Sequence, residues 1–516
     1  MTPRPLLIGG KRGLRRRLYQ LPRVGIATPV FAGPQVRSGT LRDRAAYMPA
    51  SASFKETSDR AESPVAVVPG LPYTNLACLP KGCGVGGAAD FSSLGRRVAW
   101  HSKRPGKMTK SIHVGGRPVW AEISLQAILR NLEIIRKHVN GNGRHGVKRG
   151  SNGKRMVLAV VKSNAYGLGA VAISKALQKA GTEWFGVTCA NEGVELRESG
   201  IRKRILVLTG FWPGEEKRLL ENHLTPTVTR VDDLRHLERA AKNFLGKSGH
   251  RKSSRGKSSR VRFHLKINTG MNRLGISPSE VEAFASALAD CPHLELEGTF
   301  THFASAEDFI GGQTVAQEEL FRSCLDRLRA LGVSPGIVHL ANSGAICARP
   351  ETWADMVRPG AILYGYHQRF DPPEKRQEVT AQMALEPSLS LRARIISLRD
   401  VPPGEAVGYS ARFITERQSK IAVINAGYAD GVVRARTNRG CALVRERRVP
   451  LVGTISMDLT TLDVTDVPGV ALGDVVTIYG KDGKSAIEVS DVAPEIGTVT
   501  SDLLCALGRR VPKYYT

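Results

Sequence analysis

Cysteine is scarce in this 516-residue chain. Its eight residues stand singly at Cys78, Cys83, Cys189, Cys291, Cys324, Cys347, Cys441 and Cys505, with no C-x-x-C pair. That spacing suggests neither a disulfide framework nor a zinc site, so a reducing, cytoplasmic setting without a bound metal is expected. Long hydrophobic runs are missing too. None approaches the roughly 18 residues that a membrane helix needs, so no membrane role is expected. Arg-rich KRGLRRRL (11–18) is not followed by a clean apolar core with a small-residue cleavage site, and it does not read as a secretory signal. Acidic residues are few, 47 against 75 Lys and Arg. Hydrophobic residues nevertheless reach 41%, which excludes a chain disordered throughout.

A net charge of +28 points to nucleic acid until it is located. Residues 1–110 carry a surplus of 14 positive charges, GNGRHGVKRGSNGKR (141–155) carries five and KSGHRKSSRGKSSR (247–260) six, which together make 25 of the 28. The rest is nearly neutral, as an enzyme for a small molecule can be. No helix-turn-helix, zinc finger or aromatic-basic interleaving is present, so nucleic acid is an unlikely partner. Segment 1–110 is rich in Gly, Pro, Ser and Arg without periodicity. It reads as a disordered basic extension, as a transit peptide, or as the result of a start codon placed upstream of Met108. The two insertions read as solvated loops.

Order is expected from Arg117. RPVWAEIS reads as a strand, and Ser124 caps an amphipathic helix carrying Leu125, Ile128, Leu132 and Ile135. Apolar runs then recur at 157–162, 184–189, 204–209, 224–229, 262–267, 295–300, 336–341 and 356–363, with helical patterns between most of them. Eight such units predict an α/β fold, a (β/α)8 TIM barrel over 117–375. After it, strand-like segments between Gly, Pro and Asp turns predict a mainly-β domain over 376–516.

Lys162 closes the first barrel strand in AVVKSNAYGLG. A lysine at the catalytic rim, beside a desolvating strand, suits Schiff-base chemistry, although a lone rim lysine is usually unremarkable. Barrels that bind phosphate tend to use the loops after strands seven and eight. Here these read HLANSG (339–344) and VRPGA (357–361), where Asn342, Ser343 and the amides near Gly360 offer neutral donors. An amine facing a phosphate site suggests pyridoxal 5′-phosphate.

The motif order resembles the alanine racemase family. AVVKSNAYGLG, KINTGMNRLG (266–275), EGTFTHFASAE (297–307), HLANSG, MVRPGAILYG (356–365), VGYSARF (407–413), AGYADG (426–431) and GTISMDLTTLDV (453–464) carry the resemblance across residues 117–516. It implies a PLP-binding barrel, a C-terminal β domain and a homodimer with active sites shared across the interface. The implied reaction interconverts L- and D-alanine by two bases, and in a bacterium D-alanine would feed peptidoglycan synthesis. Lys162 would be the Schiff-base lysine and the base on the D face. Tyr409, from the partner, would be the base on the L face, since inversion needs a proton removed on one side and delivered on the other. Arg358 would face the pyridine nitrogen, with His302 buttressing it. Tyr166 and Ser343 would contact the phosphate. Arg273 and the backbone N–H of Met457, beside Asp458, would meet the substrate carboxylate. Tyr428 would line the entry corridor, and Lys266 matches a lysine carbamylated in some members.

Taken alone, His302 reads more readily as a satisfied core histidine, Tyr428 as a turn residue and Met457 as core filler. The sequence departs from the family at Leu168, where many members have histidine. At GRRVPK (508–513), Arg509 takes the place of a tyrosine that reaches the phosphate in some members. Ser456 stands where some members have cysteine. Amino-acid decarboxylases on the same barrel set an acid against the ring nitrogen, and Arg358 argues against that reading. A serine or broad-specificity racemase would keep both bases.

Overall fold

A computed structural model describes residues 116–141, 154–247 and 260–516. The expectations for segment 1–110, for Cys78 and Cys83, and for nearly all of the two basic insertions lie outside the described residues. The described cysteines are all free thiols, and no helix among these residues is long and apolar enough to cross a membrane.

The chain enters through β1 (Val119–Ile123) and the helix Leu125–Asn140, whose first turn Ser124 caps by accepting the Ala127 N–H at 3.2 Å. Eight parallel strands follow: β2 (Met156–Val160), β3 (Trp184–Val187), β4 (Arg204–Val207), β5 (Thr227–Val228), β6 (Val261–Lys266), β7 (Leu294–Phe300), β8 (Ile337–His339) and β9 (Met356–Val357). They pair in the orders β4-β3-β2-β9 and β5-β6-β7-β8. Two seams close the ring. Thr225 N–H donates to Ile205 O at 2.8 Å and Val207 N–H to Thr225 O at 3.0 Å; opposite, Asp355 N–H donates to Val338 O and Arg358 N–H to Ala341 O, both at 3.0 Å. Each strand overlaps one of the eight segments marked by apolar runs, β2, β6 and β7 beginning one residue earlier.

Side-chain alternation sorts the barrel into layers. Val157, Ala159, Phe185, Val187, Ile205 and Val207 pack in the main core with the apolar faces of the surrounding helices. The intervening Leu158, Val160, Trp184 and Leu206 join Met356 in a separate, smaller cluster. Fully burying one such side chain stabilises the fold by about 1.5–3 kcal/mol.

Beyond residue 388 the chain is mainly β: β10 (Leu389–Val401), β11 (Ser419–Ile424), β12 (Cys441–Val444), β13 (Arg447–Pro450), β14 (Thr460–Asp463), β15 (Val475–Asp482), β16 (Ser485–Ile487) and β17 (Lys513–Tyr515). β1 belongs here and not to the barrel. It pairs antiparallel with β10, Val119 opposite Ala393, and parallel with β17, Ala121 opposite Lys513. RPVWAEIS announced a strand, but its partners lie at the far end of the sequence.

Candidate active site

The C-terminal ends of the barrel strands open into a cavity of about 260 Å³. Lys162 lines it, one residue beyond the buried Val161. The backbone after Lys162 is unusual: Ser163, Asn164, Ala165 and Tyr166 take φ values of 54, 53, 53 and 57°. Left-handed backbone costs an L-residue about 1–2 kcal/mol. Surrounding bonds hold the turn. Ser163 N–H donates to Glu192 Oε1 at 2.6 Å, Ala165 N–H to Val161 O at 2.8 Å, and Ala170 N–H to Asn164 Oδ1 at 2.8 Å. The result brings Lys162 and Tyr166 to one cavity.

Neutral donors gather on the far side. Gly360 N–H donates to Ser343 Oγ at 2.9 Å. A Cβ built on Gly360 would stand 2.4 Å from Tyr166 Oη, so only glycine leaves this corner open. Asn342 caps the helix Ser343–Ala348, its Oδ1 accepting the Ala345 N–H at 3.1 Å. Two hydroxyls around a side-chain-free backbone fit the phosphate end of the expected cofactor.

Arg358 is buried at the base. It donates to the carbonyls of His339, Thr301 and Leu340 at 2.7, 2.7 and 2.8 Å, and it lies 3.1 Å from His339 Nδ1 and 3.3 Å from His302 Nδ1. Among the described residues it forms no ion pair with a carboxylate. Burial lowers its pKa to about 9, which leaves it charged at neutral pH, and burial together with Arg358 holds His302 well below its ordinary range. Lys266 is pulled down to about 8 by burial, then by Arg358, Arg273 and Lys162. Arg273 reaches the rim from a loop closed at its base by Asn268 N–H to Ile276 O (2.9 Å) and Ile276 N–H to Lys266 O (3.0 Å). A Cβ on Gly275 would meet that backbone at 2.7 Å.

Four cations thus line the cavity with Glu307 as the single carboxylate among its described lining residues. Burial raises the Glu307 pKa from its ordinary value. Such a site favours an anionic occupant.

Tyr409, Tyr428, Met457 and Asp458 do not line this cavity. On the β domain, Tyr409 is 71% exposed, Met457 53% and Tyr428 40%. Tyr409 sits between Gly408 (φ +77°) and Ser410 (φ 63°), with its carbonyl accepting the Thr454 hydroxyl at 2.9 Å. Arg510 braces this surface by donating to Asp458 Oδ1 at 2.6 Å and Asp430 Oδ1 at 2.8 Å, and Arg117 donates to Asp430 at 2.8 Å. The expected residues therefore form two groups, one in the barrel mouth and one on an open face.

Residues 123–368 match the alanine racemase N-terminal domain and residues 388–515 the alanine racemase C-terminal domain. The alanine racemase of Halothermothrix orenii is 35% identical over 400 residues, 77% of this chain and 97% of that one. The chain belongs to the alanine racemase family. The Methanococcus maripaludis member is 37% identical over 400 residues, covering 77% and 98% of the two chains. Among solved structures, the biosynthetic alanine racemase of Pseudomonas aeruginosa aligns with a TM-score of 0.65 at 30% identity, covering 78% of this chain and 100% of that one. The Bartonella henselae alanine racemase, solved with covalently bound pyridoxal phosphate, aligns at 0.65 and 26% identity with the same coverage. The fold is accordingly the barrel and β domain of that family, and the chain is an isomerase.

Some site residues escaped the sequence reading. Glu192 lies in none of the quoted motifs, and Glu307 ends EGTFTHFASAE without a role assigned to it. In the C-terminal segment, Ser501 lines the cavity and Arg509 does not. Arg510, its neighbour, forms the bonds to the Tyr428 and Met457 loops. Spacing alone does not say which turn of the helix Thr500–Cys505 looks into the barrel.

Proposed function

We propose that the chain interconverts L- and D-alanine with pyridoxal phosphate held in the barrel cavity, and that two copies of the chain complete each site. The observation that carries this reading is the meeting of Lys162, the Tyr166–Ser343–Gly360 corner and the carboxylate-free Arg358 in one positively charged cavity. The cofactor, when bound, supplies the electron-withdrawing ring that acidifies the substrate Cα–H. Tyr166, Ser343 and the backbone at Gly360 would hold its phosphate. Arg358, cationic at the cavity base, would face the ring nitrogen and disfavour its protonation, which would restrain competing reactions. Arg273 takes the substrate carboxylate, with the Met457 N–H of the second copy.

Lys162 Nζ holds or releases the proton on one face of the Cα. The opposite face needs its own acid–base group, and Tyr409 Oη from a second copy serves there. Tyr409 is exposed on its own chain and absent from its own cavity, which supports a role in a neighbour's site. Product D-alanine would serve peptidoglycan synthesis in the cytoplasm.

The test uses purified full-length protein. Conversion of L-alanine to D-alanine should require pyridoxal phosphate, and Lys162→Ala should abolish both conversion and the visible absorbance of the bound cofactor. Cofactor bound without conversion of alanine would refute the substrate, with serine the next candidate. No cofactor bound at all would refute the reading of the cavity.

A further inference from the structure

One side of the barrel interior is apolar, filled by Leu158, Val160, Trp184, Leu206 and Met356. The other side is not. His264 of β6 and His339 of β8 are fully buried and meet there, His264 Nδ1 lying 2.9 Å from His339 Nε2. His339 Nδ1 lies 3.1 Å from Arg358 Nη1. At the other end, the nearest acidic oxygen to His264 Nε2 is Glu297 Oε2, at 3.8 Å. That distance is too long for a hydrogen bond, but the carboxylate still favours a hydrogen on the nitrogen facing it. Glu297 is itself bound by Arg204, whose Nη1 donates to Oε1 at 2.6 Å, and Arg204 lies 4.5 Å above the Trp184 ring.

The backbone makes room for this row. The β6–β7 pairing slips between Phe263 and His264, which re-aims the side chains there. The residue then opposite His264 is Gly298, where a Cβ would stand 2.7 Å from His264 Cε1.

Chemistry gives the row a direction. A guanidinium only donates. His339 Nδ1 must therefore accept from Arg358, so its hydrogen sits on Nε2. That hydrogen goes to His264 Nδ1, so the His264 hydrogen sits on Nε2 and faces Glu297. Both rings must be neutral for this. Burial, then Arg204 and Arg358, bring the His264 pKa down to about 3, and burial with Arg358 holds His339 well below its ordinary range.

We propose that His264 and His339 are positioning residues for Arg358, forming with Glu297 a one-way row that fixes the guanidinium from behind. Its use in setting Arg358 against a cofactor rests on the function proposed above; the row itself does not.

The test is ¹⁵N NMR of histidine-labelled full-length protein, cofactor-free and cofactor-loaded, with His264 and His339 assigned by His264→Phe and His339→Phe. Nitrogen shifts separate the two neutral tautomers from the charged ring. Both rings are expected as Nε2–H in both forms of the protein. An Nδ1–H or doubly protonated ring at either position overturns the row, whether or not cofactor binds. In His264→Phe, His339 loses its acceptor. Arg358 still directs the His339 hydrogen to Nε2, but that N–H is left buried without a partner, so its nitrogen shifts should move from the wild-type values, and kcat should fall about tenfold with KM nearly unchanged. Gly298→Ala crowds the His264 ring, and the Ile337 carbonyl of β8 beside it, without deleting the histidine and should act in the same direction. If the His339 nitrogen shifts and kcat are unaltered in both variants, the histidines only pack and the proposal fails.

Discussion

The Glu192 carboxylate bridges two backbone N–H groups beside the candidate catalytic lysine, with Ser163 donating to Oε1 at 2.6 Å and Thr188 to Oε2 at 2.7 Å. Ser163 opens the run of four left-handed residues that follows Lys162. Such strain persists only where its surroundings over-determine it. Glu192→Ala should therefore relax the turn and let Lys162 and Tyr166 drift. We expect at least a tenfold loss in kcat/KM, the equivalent of about 1.4 kcal/mol, together with weaker cofactor retention. Glu192→Gln keeps one acceptor oxygen and should lose less. Unaltered kinetics in Glu192→Ala would show that the turn holds itself.

Tyr409→Phe removes one acid–base group while leaving Lys162 in place. Exchange of the Cα hydrogen into deuterated water, followed separately for each enantiomer, should fall far more for L-alanine than for D-alanine, by about 100-fold or more. Equal losses would count against a base on each face. Because the two groups of residues sit apart on one chain, mixing Lys162→Ala with Tyr409→Phe protein should also restore some activity, since exchange of subunits recreates one intact site. No recovery after subunit exchange would argue that both bases come from the same chain.

The barrel was legible because its chemistry lies at strand ends. Lys162, Lys266, His302, Asn342 and Arg358 each close or follow a strand whose apolar run marks it, so the fold gathers them at one rim. What stayed hidden depends on pairings distant in sequence. In sequence β1 looks like any other strand, and nothing local says that it pairs with β10 and β17. Glu192 reads as one more acid in a helix's first turn, because its task is defined by backbone it does not neighbour in sequence. At the C-terminus GRRVPK (508–513) includes Arg510 but says nothing of its partners, and Ser501, which lines the cavity, lies outside that segment.

Lys266 gives the fold a pH signature. Burial and neighbouring cations bring its pKa from the ordinary 10.5 to about 8. Between these values the unfolded chain holds a proton that the folded chain has released, so stability rises with pH from about 8 to 10.5. Below that window both states are protonated, and the folded state bears a buried charge at a cost on the order of 3 kcal/mol. Lys266→Met should raise the urea midpoint of cofactor-free protein at pH 7 and flatten its rise in alkaline buffer. A midpoint lowered at pH 7 would mean that Lys266 makes a stabilising interaction as a cation.

Arg358→Glu tests charge and hydrogen bonding together. The wild-type guanidinium satisfies the carbonyls of Thr301, His339 and Leu340. Glutamate offers these oxygens no donor while ionised, and each unsatisfied buried group costs about 1–3 kcal/mol. The carboxyl should respond by taking up a proton, which its buried surroundings favour. Stability should fall by several kcal/mol, read as a lower denaturation midpoint. With the fixed cation gone, the ring nitrogen of bound cofactor should become protonated. Racemisation should slow while transamination, measured as pyruvate formed per D-alanine, becomes a larger share of turnover. Arg358→Lys separates the two causes: it keeps the charge but reaches fewer carbonyls, so it should lose stability with little change in the product ratio. If Arg358→Glu leaves that ratio where it was, the charge at this position does not select the reaction, and Arg358 serves the fold of the barrel floor alone.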